Sequence, residues 1–128
     1  MGARIWWTAA CTAGLVAVAG GAFGAHGLED VVTPKRLETW RVGTEYLAYH
    51  ALALMSLSCL SMRAPGRDVD AAGIAFLAGM LVFTGSLWAL VLLDLPILGA
   101  ITPFGGVAFM VGWALAARAG WRRLGPQP

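Results

Sequence analysis

The stretch that most limits what this chain can become is Ala71 to Leu93, 23 residues without a single charge. As an α-helix it reaches about 35 Å, and the hydrocarbon core of a bilayer is about 30 Å thick. Inside lipid a backbone must satisfy its own polar groups, so a run of this kind becomes a membrane-spanning helix. Three further apolar runs accompany it, at 5–25, 42–62 and 98–117. With 59% apolar and 12% charged residues, the chain has about half the charge usual in soluble domains. A soluble globule of 128 residues has no interior large enough for so much apolar surface. The expected fold is all-α: a single integral membrane domain over 1–128, a four-transmembrane-helix bundle running up-down-up-down.

The first run closes on Gly20-Gly21-Ala22-Phe23-Gly24-Ala25-His26-Gly27-Leu28, with four glycines in eight residues. Each glycine costs about 1 kcal/mol of helix propensity against alanine, so close packing must hold this end together. Ala9, Ala13, Ala17, Gly21 and Ala25 recur every fourth residue, with Gly20 and Gly24 as a second rung. Small residues at that spacing let helix backbones approach in lipid. Helix one is therefore expected to be the most buried. A cleaved signal peptide is the rival reading of this run; its 21 apolar residues exceed the usual 7–15, which favours a retained span.

Residues 27–45 are the most polar stretch, and the segment 28–41 is expected to form a short interfacial helix. Thr33-Pro34 reads as its start, with a capping hydroxyl and proline at the first helical position. Glu38, Arg41 and Glu45 stand at helical spacings that let Arg41 pair with either acid. Trp40, Tyr46 and Tyr49 supply interfacial aromatics. The segment Arg63 to Asp68 reads as a turn, Asp94-Leu95-Pro96 ends the third run, and the tail to Pro128 is expected to be unstructured. Small ladders recur at Ala71, Ala75 and Gly79 and at Ala108, Gly112, Ala116 and Gly120.

Four spans place both termini on one side with Arg4, Arg63, Arg67, Arg118, Arg122 and Arg123. Lys35, Arg36 and Arg41 fall on the other. The positive-inside rule then puts both termini in the cytoplasm of a bacterial inner membrane. A net charge of +2, scattered, excludes a nucleic-acid surface. Cys11 and Cys59 lack metal-ligand spacing and read as small, inert core residues.

The candidate binding residues are His26, Glu45, Tyr46, Tyr49 and His50, a polar cluster expected at the outer end with both histidines in it. Around the helix Glu45 and His50 stand about 140° apart, which prevents a dyad within one helix. No nucleophile lies near either histidine in sequence and no third ligand type supports a metal or haem, so no catalytic residue and no cofactor is expected. The function expected is a non-enzymatic structural or partner-binding component. Its partners are the bilayer and either another membrane protein or a second copy of the chain. The alternative is a small-solute or ion transporter with a histidine-containing outer vestibule.

GGAFGAHGLED and the stretch WRVGTEYLAYHALAL from Trp40 to Leu54 resemble the YgdD/YwdK family of small bacterial membrane proteins. The specific elements are G-A-F-G-A-H-G at residues 21–27 and Y-H-A-L at 49–52. The resemblance implies the same architecture and marks His26, Tyr49 and His50 as signature positions; the family carries no established activity to transfer. The glycine-rich start superficially resembles fluoride channels. The arginine expected after that motif is replaced by His26-Gly27, and the chain contains no asparagine. Small multidrug transporters need an acid within helix one, and 5–25 contains none.

Overall fold

The structure, a computed structural model, describes residues 1–123. The tail to Pro128, expected to be unstructured, lies outside the described residues. Four long helices follow one another: α1, Ala3–Leu28; α2, Pro34–Arg63; α3, Arg67–Leu93; and α4, Thr102–Arg123. A 3₁₀ turn over Pro96–Ala100 precedes α4, and no strand occurs among the described residues. Helices α1 and α3 and the segment Pro96–Arg122 are each long and apolar enough to cross a membrane. The 30-residue α2 carries Lys35, Arg36, Glu38, Arg41 and Glu45 in its first turns, which lowers its apolar character.

The separate interfacial helix expected over 28–41 is not formed. Helix α1 runs on to Leu28, a turn follows, and Pro34 opens α2 directly. Thr33 caps it as the sequence implied, its hydroxyl oxygen accepting from Arg36 N at 3.3 Å. No helix breaker lies between Pro34 and the apolar part of α2. Gly43, the one weak point, is held beneath Trp88.

At the far end of α3, Asp94 adopts a left-handed conformation (φ 52°, ψ 42°), which a short polar side chain tolerates. Leu95 is extended because Pro96 follows it. The chain thereby turns into α4 within a few residues.

Tight packing comes from aromatic rings seated on glycines. A Cβ on Gly112 would stand 2.6 Å from the Phe76 ring, and one on Gly73 would stand 2.7 Å from Trp6. Gly79 receives Phe109 in the same way, so α3 and α4 exchange rings reciprocally. In α1 the glycines that must stay bare are Gly20, beneath Trp88, and Gly24, beneath Trp40, while Ala17 of the main ladder is buried in the core with Ala9 and Ala13 packed beside it. Gly21 and Ala25 of the longer ladder are exposed, and so are Cys11 and Cys59, which were expected in the core but lie on outward faces of α1 and α2.

Helix one is not the most buried. Its most apolar stretch is 22% buried, against 44% for α3 and 17% for the α4 segment. The small residues of α1 lie chiefly against α2, with Trp88 of α3 reaching Gly20, whereas α3 has α2 on one side and α4 on the other.

Ionic contacts close both ends of the bundle. Where the chain begins, Asp68 accepts from Arg118 and Arg122, while Asp70 accepts from the Met1 amino group and from Trp6 Nε1 at 3.0 Å. Both acids stand in the first turn of α3, where the helix dipole favours negative charge. At the opposite end Arg36 reaches Asp94 at 2.7 Å, tying the start of α2 to the end of α3.

Candidate functional site

The last turn of α1 is a π-helix over Gly24–Leu28, and it carries His26. Such widened turns occur mostly as single-turn interruptions of α-helices, frequently at functional sites. Here the widening accompanies a cross-helix bond: Trp40 of α2 donates its indole N–H to Gly20 O at 2.8 Å. That carbonyl also accepts the N–H of Gly24. Gly24 lacks the side chain that would strike Trp40, since a Cβ there would stand 2.7 Å from the ring. The motif Gly20 to Leu28 therefore docks one tryptophan, and Trp88 of α3 stacks on that tryptophan at 4.6 Å and 9°.

This docking leaves a groove of about 650 Å³ between α1 and α2. Gly21, Gly24, Ala25 and Trp40 line its floor, and His26, Glu29, Arg41 and Glu45 stand at its rim. Arg41 gives two hydrogen bonds to Glu38, at 2.8 and 3.0 Å, and lies 3.6 Å from Glu45. Those bonds hold the Glu38 carboxyl below its ordinary range. Among the described residues Glu29 makes no ion pair.

Of the five residues singled out in the sequence, His26 and Glu45 meet in this groove. His50, Tyr46 and Tyr49 do not line it. His50 is buried on the other side of α2, stacked on Phe109 at 3.4 Å and near Phe76 and Trp113. Tyr46 packs on Phe83 at 4.6 Å, and Tyr49 is exposed beside Tyr46. A common cluster of the two histidines is therefore not formed. The 140° separation along α2 sends Glu45 toward α1 and His50 toward α3 and α4.

The hydrogen bonds of His50 fix its tautomer. Its Nδ1 lies 2.7 Å from Tyr46 O, which can only accept, so Nδ1 carries the proton. Its Nε2 accepts from Trp113 Nε1 at 3.3 Å. Both ring nitrogens are engaged, and the imidazole is neutral.

A second widened turn, Met80–Thr84 in α3, repeats the device of α1. Thr84 donates its hydroxyl to Gly43 O of α2 at 2.9 Å. The sequence reading missed Trp88 and took Trp40 for an interfacial aromatic, whereas Trp40 is buried, bonded to α1 and stacked on α3. The available signal was the number of tryptophans, six, which exceeds what interfacial belts on a chain this short require. The indole Nε1 of Trp88 is buried without a partner among the described residues.

Residues 20–106 match the family model described as a protein of unknown function, DUF423. The UPF0382 membrane protein YwdK of Bacillus subtilis is 46% identical over 79% of this chain and 83% of its own length. The UPF0382 membrane protein SAB0533 of Staphylococcus aureus is 43% identical over 79% and 82%. A relative in Staphylococcus haemolyticus, SH2409, is 40% identical over 84% and 85%. No solved structure matches the chain.

Proposed function

We propose, from the premise that the chain belongs to the DUF423 family of membrane proteins, that it is a non-enzymatic component of a bacterial cytoplasmic membrane which binds a partner in the α1–α2 groove. The observation that carries this reading is the groove itself, an apolar trough with His26, Glu29, Arg41 and Glu45 gathered at one end. It is built by the segment in which glycines, tryptophan and histidine are most concentrated. Transport through the bundle has less support. His50 has no free ring nitrogen, and Phe76, Phe109 and Trp113 fill the space around it.

All four helices cross the membrane in this reading. Helix α2 is uncharged from Tyr46 to Met62, about 25 Å of helix, which with modest bilayer thinning spans the hydrocarbon. Its charged first turns then stand among the headgroups. Both termini are cytoplasmic by the excess of arginines at that end, and the groove rim opens outward.

The test is affinity purification from native membranes, comparing the parent chain with Ala25→Trp. Ala25 is exposed and lines the groove, so the indole fills it without disturbing the core. The reading expects a discrete component, protein or lipid, that the variant loses. Identical co-purified material from both overturns it.

A further inference from the structure

The groove does not end at its charged rim. Ala48 lines both the polar trough and a second, apolar one of about 500 Å³ that continues between α1 and α2 past Gly14 and Cys11 to Met55. From Arg41 to Met55 the joint channel follows about 21 Å of helix, more than the ~15 Å hydrocarbon depth of one leaflet. It thus has the form of a polar head site above a single-chain slot, open sideways to lipid. The groove on the other side of α1, between Ala9 and Trp88, has a similar volume of about 480 Å³ but no ionisable residue in its lining.

The charge of the rim selects among headgroups. Three carboxylates, Glu29, Glu38 and Glu45, stand around one guanidinium: Arg41 gives two of its five N–H donors to Glu38 and faces Glu45 at 3.6 Å, while Glu29 makes no ion pair among the described residues. The rim thus offers acceptors in excess of the donors that remain free. We propose that the joint channel is a binding site for a phospholipid with a primary-ammonium headgroup, of the phosphatidylethanolamine type. Its ammonium donates to Glu29 and Glu45, its phosphate accepts from the remaining Arg41 N–H groups, and one acyl chain lies along Ala48, Gly14 and Met55. A quaternary ammonium has no N–H to give the carboxylates, and an anionic glycerol headgroup brings no cation to them. The proposal rests on the groove being the binding face, and it names the occupant.

The test is native mass spectrometry of the full chain with equimolar phosphatidylethanolamine, phosphatidylcholine and phosphatidylglycerol of one acyl composition. The ethanolamine lipid is expected to be retained about tenfold more than either competitor, the scale of one or two charge-assisted hydrogen bonds. Glu29→Gln with Glu45→Gln is expected to abolish that preference while one lipid of any headgroup still binds, because the apolar slot is untouched. Both positions are on the rim, so the fold is retained; an unchanged thermal midpoint checks this. Equal retention of all three lipids by the parent chain overturns the proposal, leaving only annular lipid. So does a preference that survives the double substitution. A protein co-purified in a manner sensitive to Ala25→Trp, together with no headgroup preference, overturns the lipid while the groove reading stands.

Discussion

The chemistry of this chain turns on which polar side chains are satisfied. His50 is satisfied at both nitrogens. Leucine there leaves the Trp113 indole N–H without its acceptor and replaces the flat ring stacked on Phe109 with a branched side chain. His50→Leu is expected to destabilise the protein by about 1–3 kcal/mol, while His50→Gln, which keeps an acceptor, costs less. Thermal unfolding in detergent distinguishes them, and equal losses contradict the structural role. The two stacked tryptophans differ in the same respect. Trp40→Phe breaks a buried bond to Gly20 O, whereas Trp88→Phe removes a donor that is already unpaired. Trp40→Phe is therefore expected to lower the unfolding midpoint more. The sequence marked His50 as a residue of interest but could not say which way it faces. That orientation depends on where α3 and α4 pack, which α2 alone does not encode.

At the scale of elements, the four helices and their turns were legible because length and hydropathy decide them. The short helix over 28–41 was a misreading of a capped start: Thr33-Pro34 opens α2 itself. The ladder in α1 was read rightly as far as Ala17, which is buried with Ala9 and Ala13 beside it, but towards the C-terminal end the tight contacts fall on the second rung, Gly20 and Gly24, and not on Gly21 and Ala25. Periodicity identifies small residues, but only the facing rings identify which of them must stay small. A Cβ on Gly20 would lie 2.5 Å from the Trp88 ring, whereas one on Gly21 would meet only Thr44 at 3.8 Å. Gly20→Ala is expected to destabilise by overpacking, by about 1–3 kcal/mol. Gly21→Ala is expected to be neutral or stabilising by up to about 1 kcal/mol, through helix propensity. Comparable losses at the two positions contradict the packing described.

At the scale of the whole molecule, the two ends are held by ions and the middle by rings. Asp70 stands in the polar turn before the uncharged run of α3. The Met1 amino group, and secondarily the Trp6 N–H, hold its carboxyl below the ordinary value of 3.8, against a smaller opposing effect of burial. A carboxyl lowered on folding contributes stability in full above its ordinary pKa, and loses it as pH falls through the lowered value. The Asp70 contribution to the unfolding midpoint is therefore expected to hold from neutral pH down to about pH 5 and to be lost progressively below about pH 4, and Asp70→Asn to reduce that acid dependence.

The central claim is that the α1–α2 groove is an occupied, selective surface, and site-specific photocrosslinking in native membranes tests it most directly. A photoreactive residue is placed at position 25, in the groove, and in a separate variant at position 92, on the exposed lipid side of α3. The account predicts one discrete adduct from position 25 and a diffuse set of lipid adducts from position 92. The same diffuse products from both positions would contradict it.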